Sequence, residues 1–175
     1  MKKMLGEERR YELLSLLKTA GKAITGTDLA KHANVSRQVI VNDMNLLKAR
    51  NEPIISTSQG YLYMPLEKAA YIERKIVCSH SAEQALDEMY TIVDCGVTIQ
   101  NVIVDHAIYG EITASIMVSN RPEVEAFVKR IEDANASYLS ALTDGTHMHI
   151  ISASSEGLLD LAEERLRKKG YLVEN

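Results

Sequence analysis

The sequence has little cysteine and no long apolar run. Its two cysteines, Cys78 and Cys95, are too few for a disulfide framework and fit buried thiols in a reducing compartment. No apolar stretch reaches the roughly 18 residues that a membrane span needs. The opening residues, MKKMLGEERRYELL, turn charged too soon for a secretory signal. Membrane, secreted and disulfide-scaffold classes are set aside, and a soluble cytoplasmic protein is expected. Disorder is excluded as well, because 46% of the residues are apolar, the share of a chain that packs. The length of 175 residues suits one or two small domains.

What is present is divided along the chain. Residues 1–65 carry ten Lys+Arg against six Asp+Glu, a net of +4; residues 66–175 carry ten against eighteen, a net of −8. That split predicts two domains with different partners, 1–65 and 66–175, the first attractive to a polyanion and the second not.

The first segment reads as three helices and a hairpin. Glu7 to Leu17 has an apolar helical stripe, stopped near Gly21. A short helix over Thr27–Ala33, with Thr27 or Gly26 near its cap, is followed by a tight turn at Asn34-Val35. Ser36 then caps a helix from Arg37 to Arg50, with Ile40, Met44 and Leu47 inward and Arg37, Gln38, Val41, Asn42 and Asn45 outward. Pro53 ends it, and Ile54 to Tyr63 reads as a hairpin turning at Ser58-Gln59-Gly60. This is helix-turn-helix spacing with a β wing. It places the third helix in a DNA major groove, with Arg37, Gln38 and Asn42 at base edges and Ser36 on a phosphate. The alternative is a three-helix module for protein contacts. The run from Leu29 to Leu47, LAKHANVSRQVIVNDMNLL, resembles the winged-helix domain common in bacterial repressors, including the biotin-repressor type.

The second segment alternates strand and helix. Strands are expected at Tyr71–Cys78, Val97–Asp105, Glu111–Val118 and Thr146–Ser152. Helices are expected after the capping box Ser81-Ala-Glu-Gln84, from Arg121 with Pro122 in its first turn, and over Glu156–Lys169. The order β-α-β-β-α-β plus a helix predicts an α+β fold: a two-layer split-βαβ, ferredoxin-like domain behind the winged helix. Phe127 and the last helix are candidates for a dimer surface, being apolar or amphipathic.

Four of the five histidines lie here: His80, His106, His147 and His149. On a strand, His147-Met148-His149 places both imidazoles on one face, roughly 7 Å apart. If the first and fourth strands are antiparallel neighbours, His80 meets His147. A carboxylate from Glu83, Asp87 or Glu88 would complete a set suited to Zn, Ni, Mn or Fe(II); spacing alone leaves the three open. Cys78, two residues before His80, is a soft ligand or a core residue. The bland reading of His-x-His on a strand is a polar edge.

The segments IVCSH80S, Y90TIVDCG, VDH106AIYGE and LTDGTH147MH together resemble the three-histidine ligand-binding domain of niacin-responsive (NiaR-type) transcriptional repressors. The resemblance spans nearly the whole chain, and Ala107 stands where proline is expected. It implies a repressor of NAD-biosynthesis and niacin-uptake genes with nicotinic acid as co-repressor. It also implies a metal set of three histidines and one glutamate, on His80, Glu88, His147 and His149. His106 and Tyr109 become candidate contacts to the small acid. A homodimer on a palindromic double-stranded operator is the expected working form. Two further readings are a plain metal sensor without organic ligand and a metal-dependent hydrolase, the latter lacking a separate general base.

Overall fold

The computed structural model describes residues 5–64 and 71–174. The chain divides into two compact units, 1–68 and 69–175. The boundary expected at 65/66 falls outside the described residues.

The first unit holds α1 (Gly6–Ala20), α2 (Gly26–Ala33), α3 (Arg37–Ala49) and a hairpin of β1 (Ile54–Thr57) and β2 (Gly60–Tyr63). α1 runs past Leu17 and stops at Gly21, whose φ of 61° suits a residue without Cβ. α2 begins one residue earlier than expected. Its cap is Thr25, whose hydroxyl accepts from the Asp28 amide and donates to the Asp28 carboxylate. Leu13, Leu17, Leu29, Ile40, Met44, Leu47 and Ile54 close one small core. The hairpin is tied to the segment before α2 by paired backbone bonds between Ile24 and Tyr61, at 2.9 Å each. A Cβ on Gly60 would lie 2.3 Å from the Ile24 carbonyl oxygen, so glycine permits that approach.

The second unit is a four-stranded sheet with one helical layer. Its elements are β3 (Ile72–Ser79), α4 (Ala85–Val93), β4 (Thr98–His106), β5 (Gly110–Val118), α5 (Arg121–Asp133), β6 (Thr146–Ala153) and α6 (Glu156–Lys169). The capping box forms at Ser81 and Gln84, but it opens a 3₁₀ turn over Ala82–Gln84 before α4 starts. The two-layer α+β architecture holds. The ferredoxin-like strand order does not. The sheet runs β3-β6-β4-β5, so the first strand of this unit lies at the edge and the last takes an interior place. The composition explains the exchange. β3 opens with Glu73, Arg74 and Lys75, while β6 ends in Ile150, Ile151, Ser152 and Ala153 and is the more buried strand. Charged strands belong at edges.

Residues opposite one another in an antiparallel pair share a face. The register Cys78↔His147, Ile76↔His149 and Arg74↔Ile151 therefore puts all six on the helical side. There Ile76, Cys78, Ile99 and Ile151 pack against Met89, Ile92, Leu159 and Leu166. Phe127, half-buried against Tyr138, and the apolar stripe of α6 pack against this core.

Candidate metal centre and nucleic-acid interface

β6 alternation sends His147 and His149 to the helical side, where both are buried. β3 delivers His80 just past its end, beside the start of β6, with the His80 amide facing the Gly145 carbonyl at 3.4 Å. Gly145, at φ 92°, allows this contact: a Cβ there would sit 2.2 Å from the His80 carbonyl oxygen. α4 brings Glu88 from above, 2% exposed.

The four side chains converge. Glu88 Oε2 lies 2.7 Å from His80 Nε2, and Glu88 Oε1 lies 3.3 Å from His147 Nε2 and 3.5 Å from His149 Nε2. The two Nε2 atoms of His147 and His149 are 3.1 Å apart. Each ring's other nitrogen faces a backbone carbonyl: His80 Nδ1 to Ser81 at 2.8 Å, His147 Nδ1 to Gly145 at 2.9 Å, His149 Nδ1 to Asn101 at 2.6 Å. A carbonyl only accepts, so each Nδ1 carries the proton and each Nε2 presents a lone pair. Three lone pairs and a carboxylate then point at one another inside the protein. His80 Nε2 is buried without a hydrogen-bond partner despite its short distance to Glu88. Such an arrangement is repulsive unless a cation or protons lie between, and outer hydrogen bonds of this kind orient histidine metal ligands. The donor set, three imidazoles and one carboxylate, fits a divalent transition ion.

The electrostatics run the same way. Burial alone would raise the Glu88 carboxyl, but the three imidazoles around it hold it well below the ordinary carboxylate range. Burial would lower His80 and His149, but the Glu88 carboxylate more than reverses this and raises both. The cluster traps positive charge, as protons or as an ion.

In the first unit, Asn34 takes a left-handed conformation at φ 51° and turns the chain from α2 into α3. Ser36 caps α3 by accepting from the Val39 amide at 3.4 Å. Arg37, Gln38 and Asn42 are exposed along one side of α3, Gln38 donating weakly to Asn42 at 3.4 Å. A depression of about 650 Å³ beside the start of α3 is lined by Thr27, Lys31, Asn34, Ser36 and Arg37. Free amides at a helix start with Lys31 and Arg37 alongside can receive a phosphate.

Family models match the chain as a 3H domain over residues 73–175 and as an HTH domain over residues 9–62. It is 47% identical over 175 residues to Transcription repressor NadR of Bacillus subtilis strain 168, covering 99% of this chain and 97% of that one. It is 34% identical over 172 residues to the Probable transcription repressor NiaR of Thermotoga maritima, covering 98% and 97%. The chain belongs to the NiaR-type family of HTH–3H transcription repressors. It is a DNA-binding regulator rather than an enzyme, and the hydrolase reading is withdrawn. No helix among the described residues is long and apolar enough to cross a membrane.

Within this 3H domain, structure separates the three carboxylates that spacing left open. Glu83 is exposed, Asp87 turns away to accept from Lys169 and the Tyr171 hydroxyl, and only Glu88 enters the cluster. Cys78 is fully buried beneath the centre, where burial and the nearby Glu88 carboxylate push its thiol up, so it is a core residue. His32 is a surface residue of α2, 3.4 Å from Glu12. His106 and Tyr109 sit on the β4–β5 hairpin. There His106 Nδ1 accepts from the Ile108 and Tyr109 amides at 3.2 and 3.3 Å and its ring lies over Tyr109 at 5.1 Å. This ties off the turn, and among the described residues neither shares a hydrogen bond or ring contact with His80, Glu88, His147 or His149.

Sequence reasoning missed Asp43. It is buried in α3, where Arg9 Nε donates to it at 2.6 Å and Arg10 Nη1 at 3.0 Å. The signal was there: Asp43 falls on the inward stripe between Ile40 and Leu47, and Arg9-Arg10 opens α1.

Proposed function

We propose that this repressor is gated by nicotinic acid at a divalent transition ion held by His80, Glu88, His147 and His149. Under this reading it represses genes of NAD biosynthesis and niacin uptake in the cytoplasm, and a homodimer presents two copies of α3 to a palindromic double-stranded operator. The observation that carries the reading is the commitment of all three Nδ1–H groups to backbone carbonyls. It leaves three Nε2 lone pairs and a buried carboxylate facing one point. A divalent ion, when bound, supplies the positive charge that lets an otherwise acidic domain hold a small carboxylic acid. The chain's own residues do the rest: the carbonyls of Ser81, Gly145 and Asn101 fix the rings, and Glu88 balances charge. Arg37, Gln38 and Asn42 read base edges while Ser36 and Lys31 hold backbone phosphates. Nicotinic acid changes operator affinity only by binding the operator-competent form more tightly than the other.

Isothermal titration of nicotinic acid into the full chain, before and after metal stripping, tests this. Saturable binding that requires the metal is the expected result. Metal-independent binding would move the ligand site away from the cluster. Absence of binding in both states, with operator affinity changed by metal alone, would make the ion itself the effector.

A further inference from the structure

Of the three carbonyls that hold the imidazoles, two lie outside the sheet: Ser81 precedes the 3₁₀ turn and Gly145 precedes β6. The third, Asn101, lies within β4, an interior strand between β6 and β5. A carbonyl in such a place normally belongs to the ladder. Here the ladder is broken for it. The β4–β6 register runs from Ile99↔Ile151 to Ile103↔Met148, so four steps on β4 answer three on β6, the mark of a β-bulge. The β4–β5 register shifts at the same place, between Ile99 and Asn101. Within the bulge the two carbonyl oxygens of Asn101 divide the work. Its side-chain Oδ1 accepts from the Ile150 amide at 3.0 Å, a bond that backbone would supply in an unbroken pair. Its backbone oxygen leaves the ladder and accepts from His149 Nδ1 at 2.6 Å.

The proton of a neutral His149 has a competing place. His149 Nε2 lies 3.1 Å from His147 Nε2 and 3.5 Å from Glu88 Oε1, and either would accept from it. A ring in that tautomer has no lone pair for a cation at Nε2. We propose that the Asn101 side chain is a positioning residue of the centre. By holding the bulge it aims the Asn101 carbonyl at Nδ1 and keeps the Nε2 lone pair of His149 turned toward His80, Glu88 and His147. The residue type supports this. Asparagine is depleted in strands, yet it stands here directly before Val102, Ile103 and Val104. The inference rests on the cation reading of the cluster, but its first readout needs no cation.

Nitrogen NMR of the metal-stripped full chain in alkaline solution, where the imidazoles are neutral, reads the tautomer of each histidine. Competition against a chelator reads the affinity for zinc. Wild-type His149 is expected to carry its proton on Nδ1. In Asn101→Ala the proton moves to Nε2 of His149, while His147, held by the Gly145 carbonyl, keeps its own on Nδ1. Zinc affinity falls with it, by about 10–100-fold. Asn101→Asp retains an acceptor for the Ile150 amide and restores both. A wild-type His149 protonated at Nε2 would overturn the proposal, as would a folded Asn101→Ala with the wild-type tautomer or the wild-type zinc affinity. If Asn101→Ala fails to fold, the wild type decides: scalar coupling across the hydrogen bond from the Ile150 amide to Asn101 Cγ is expected, and its absence overturns the assignment. A wild type that binds no zinc, with the tautomer still following Asn101, would fail the cation reading and leave this assignment standing.

Discussion

At the scale of single residues, Glu88 is the pivot of the centre. Two steps were legible beforehand: period-two alternation predicts that His147 and His149 share a face, and antiparallel pairing of the second unit's first and last strands brings His80 beside His147. Choosing Glu88 over Glu83 and Asp87 needs the rotation of α4 against the sheet, which no local pattern records; in this chain the resemblance supplied it. Glu88→Gln keeps the shape and removes the charge. It is expected to weaken metal binding by more than the roughly 10–100-fold that loss of an outer partner costs. The fold should persist, since a buried carboxylate is removed rather than created. Competition against a chromophoric chelator reads the affinity, and unchanged affinity would exclude Glu88 as a ligand. On the DNA side, Arg37 is exposed at the start of α3. Arg37→Ala should cost about 1–3 kcal/mol in operator binding if it contacts a base, together with relaxed sequence preference. Equal losses on operator and random DNA would instead assign it to the phosphate backbone.

Among the elements, what the chain's patterns concealed is how pieces meet. Helix and strand positions follow from periodicity, caps and glycines. The interior place of β6 does not, because it depends on the charges of β3 weighed against the apolar end of a strand some seventy residues later. The Arg9–Asp43 pair is hidden for the same reason: α1 and α3 must first be packed. Its side chains are 10% and 3% exposed, so removing Asp43 takes from the Arg9 guanidinium its buried carboxylate. Asp43→Leu alone is expected to destabilise the first unit by about 3–5 kcal/mol, and the double change Arg9→Leu with Asp43→Leu should recover much of that loss. Denaturant unfolding of the full chain gives both numbers; additive losses would show that the pair is not coupled. Gly145 fixes a second junction, where β6 begins against the His80 backbone. Gly145→Ala forces a Cβ to within 2.2 Å of the His80 carbonyl oxygen at a φ of 92°. The strain, about 1–3 kcal/mol by the ordinary cost of such conformations, should appear as a lower melting temperature of the second unit. Weaker metal binding should accompany it, because His80 is displaced. A lower melting temperature with intact affinity would separate the junction from the centre.

For the whole molecule, pH should act in opposite directions on the metal-stripped and metal-loaded forms. Glu88 is held below its ordinary value, so its contribution to stability is present above the ordinary carboxylate value of 4.5 and is lost as pH falls through the lowered one. His80 and His149 are raised above 6.5, so theirs is complete below 6.5 and is lost as pH rises through the raised values. The stripped protein is therefore most stable between those limits, in mildly acid solution, and weakens toward alkaline pH as the imidazoles lose the protons that offset Glu88. A metal ion requires those same imidazoles to be neutral, so its stabilisation, RT ln(1 + [M]/Kd), grows as pH rises. Calorimetry on stripped and loaded full chain from pH 5 to 9 is expected to show the two melting profiles of the second unit diverging above about pH 6.5, while the first unit's transition stays indifferent to metal. Parallel profiles across that range would mean that protons and metal do not compete at the cluster, and the four residues would then be a buried polar network rather than a cation site.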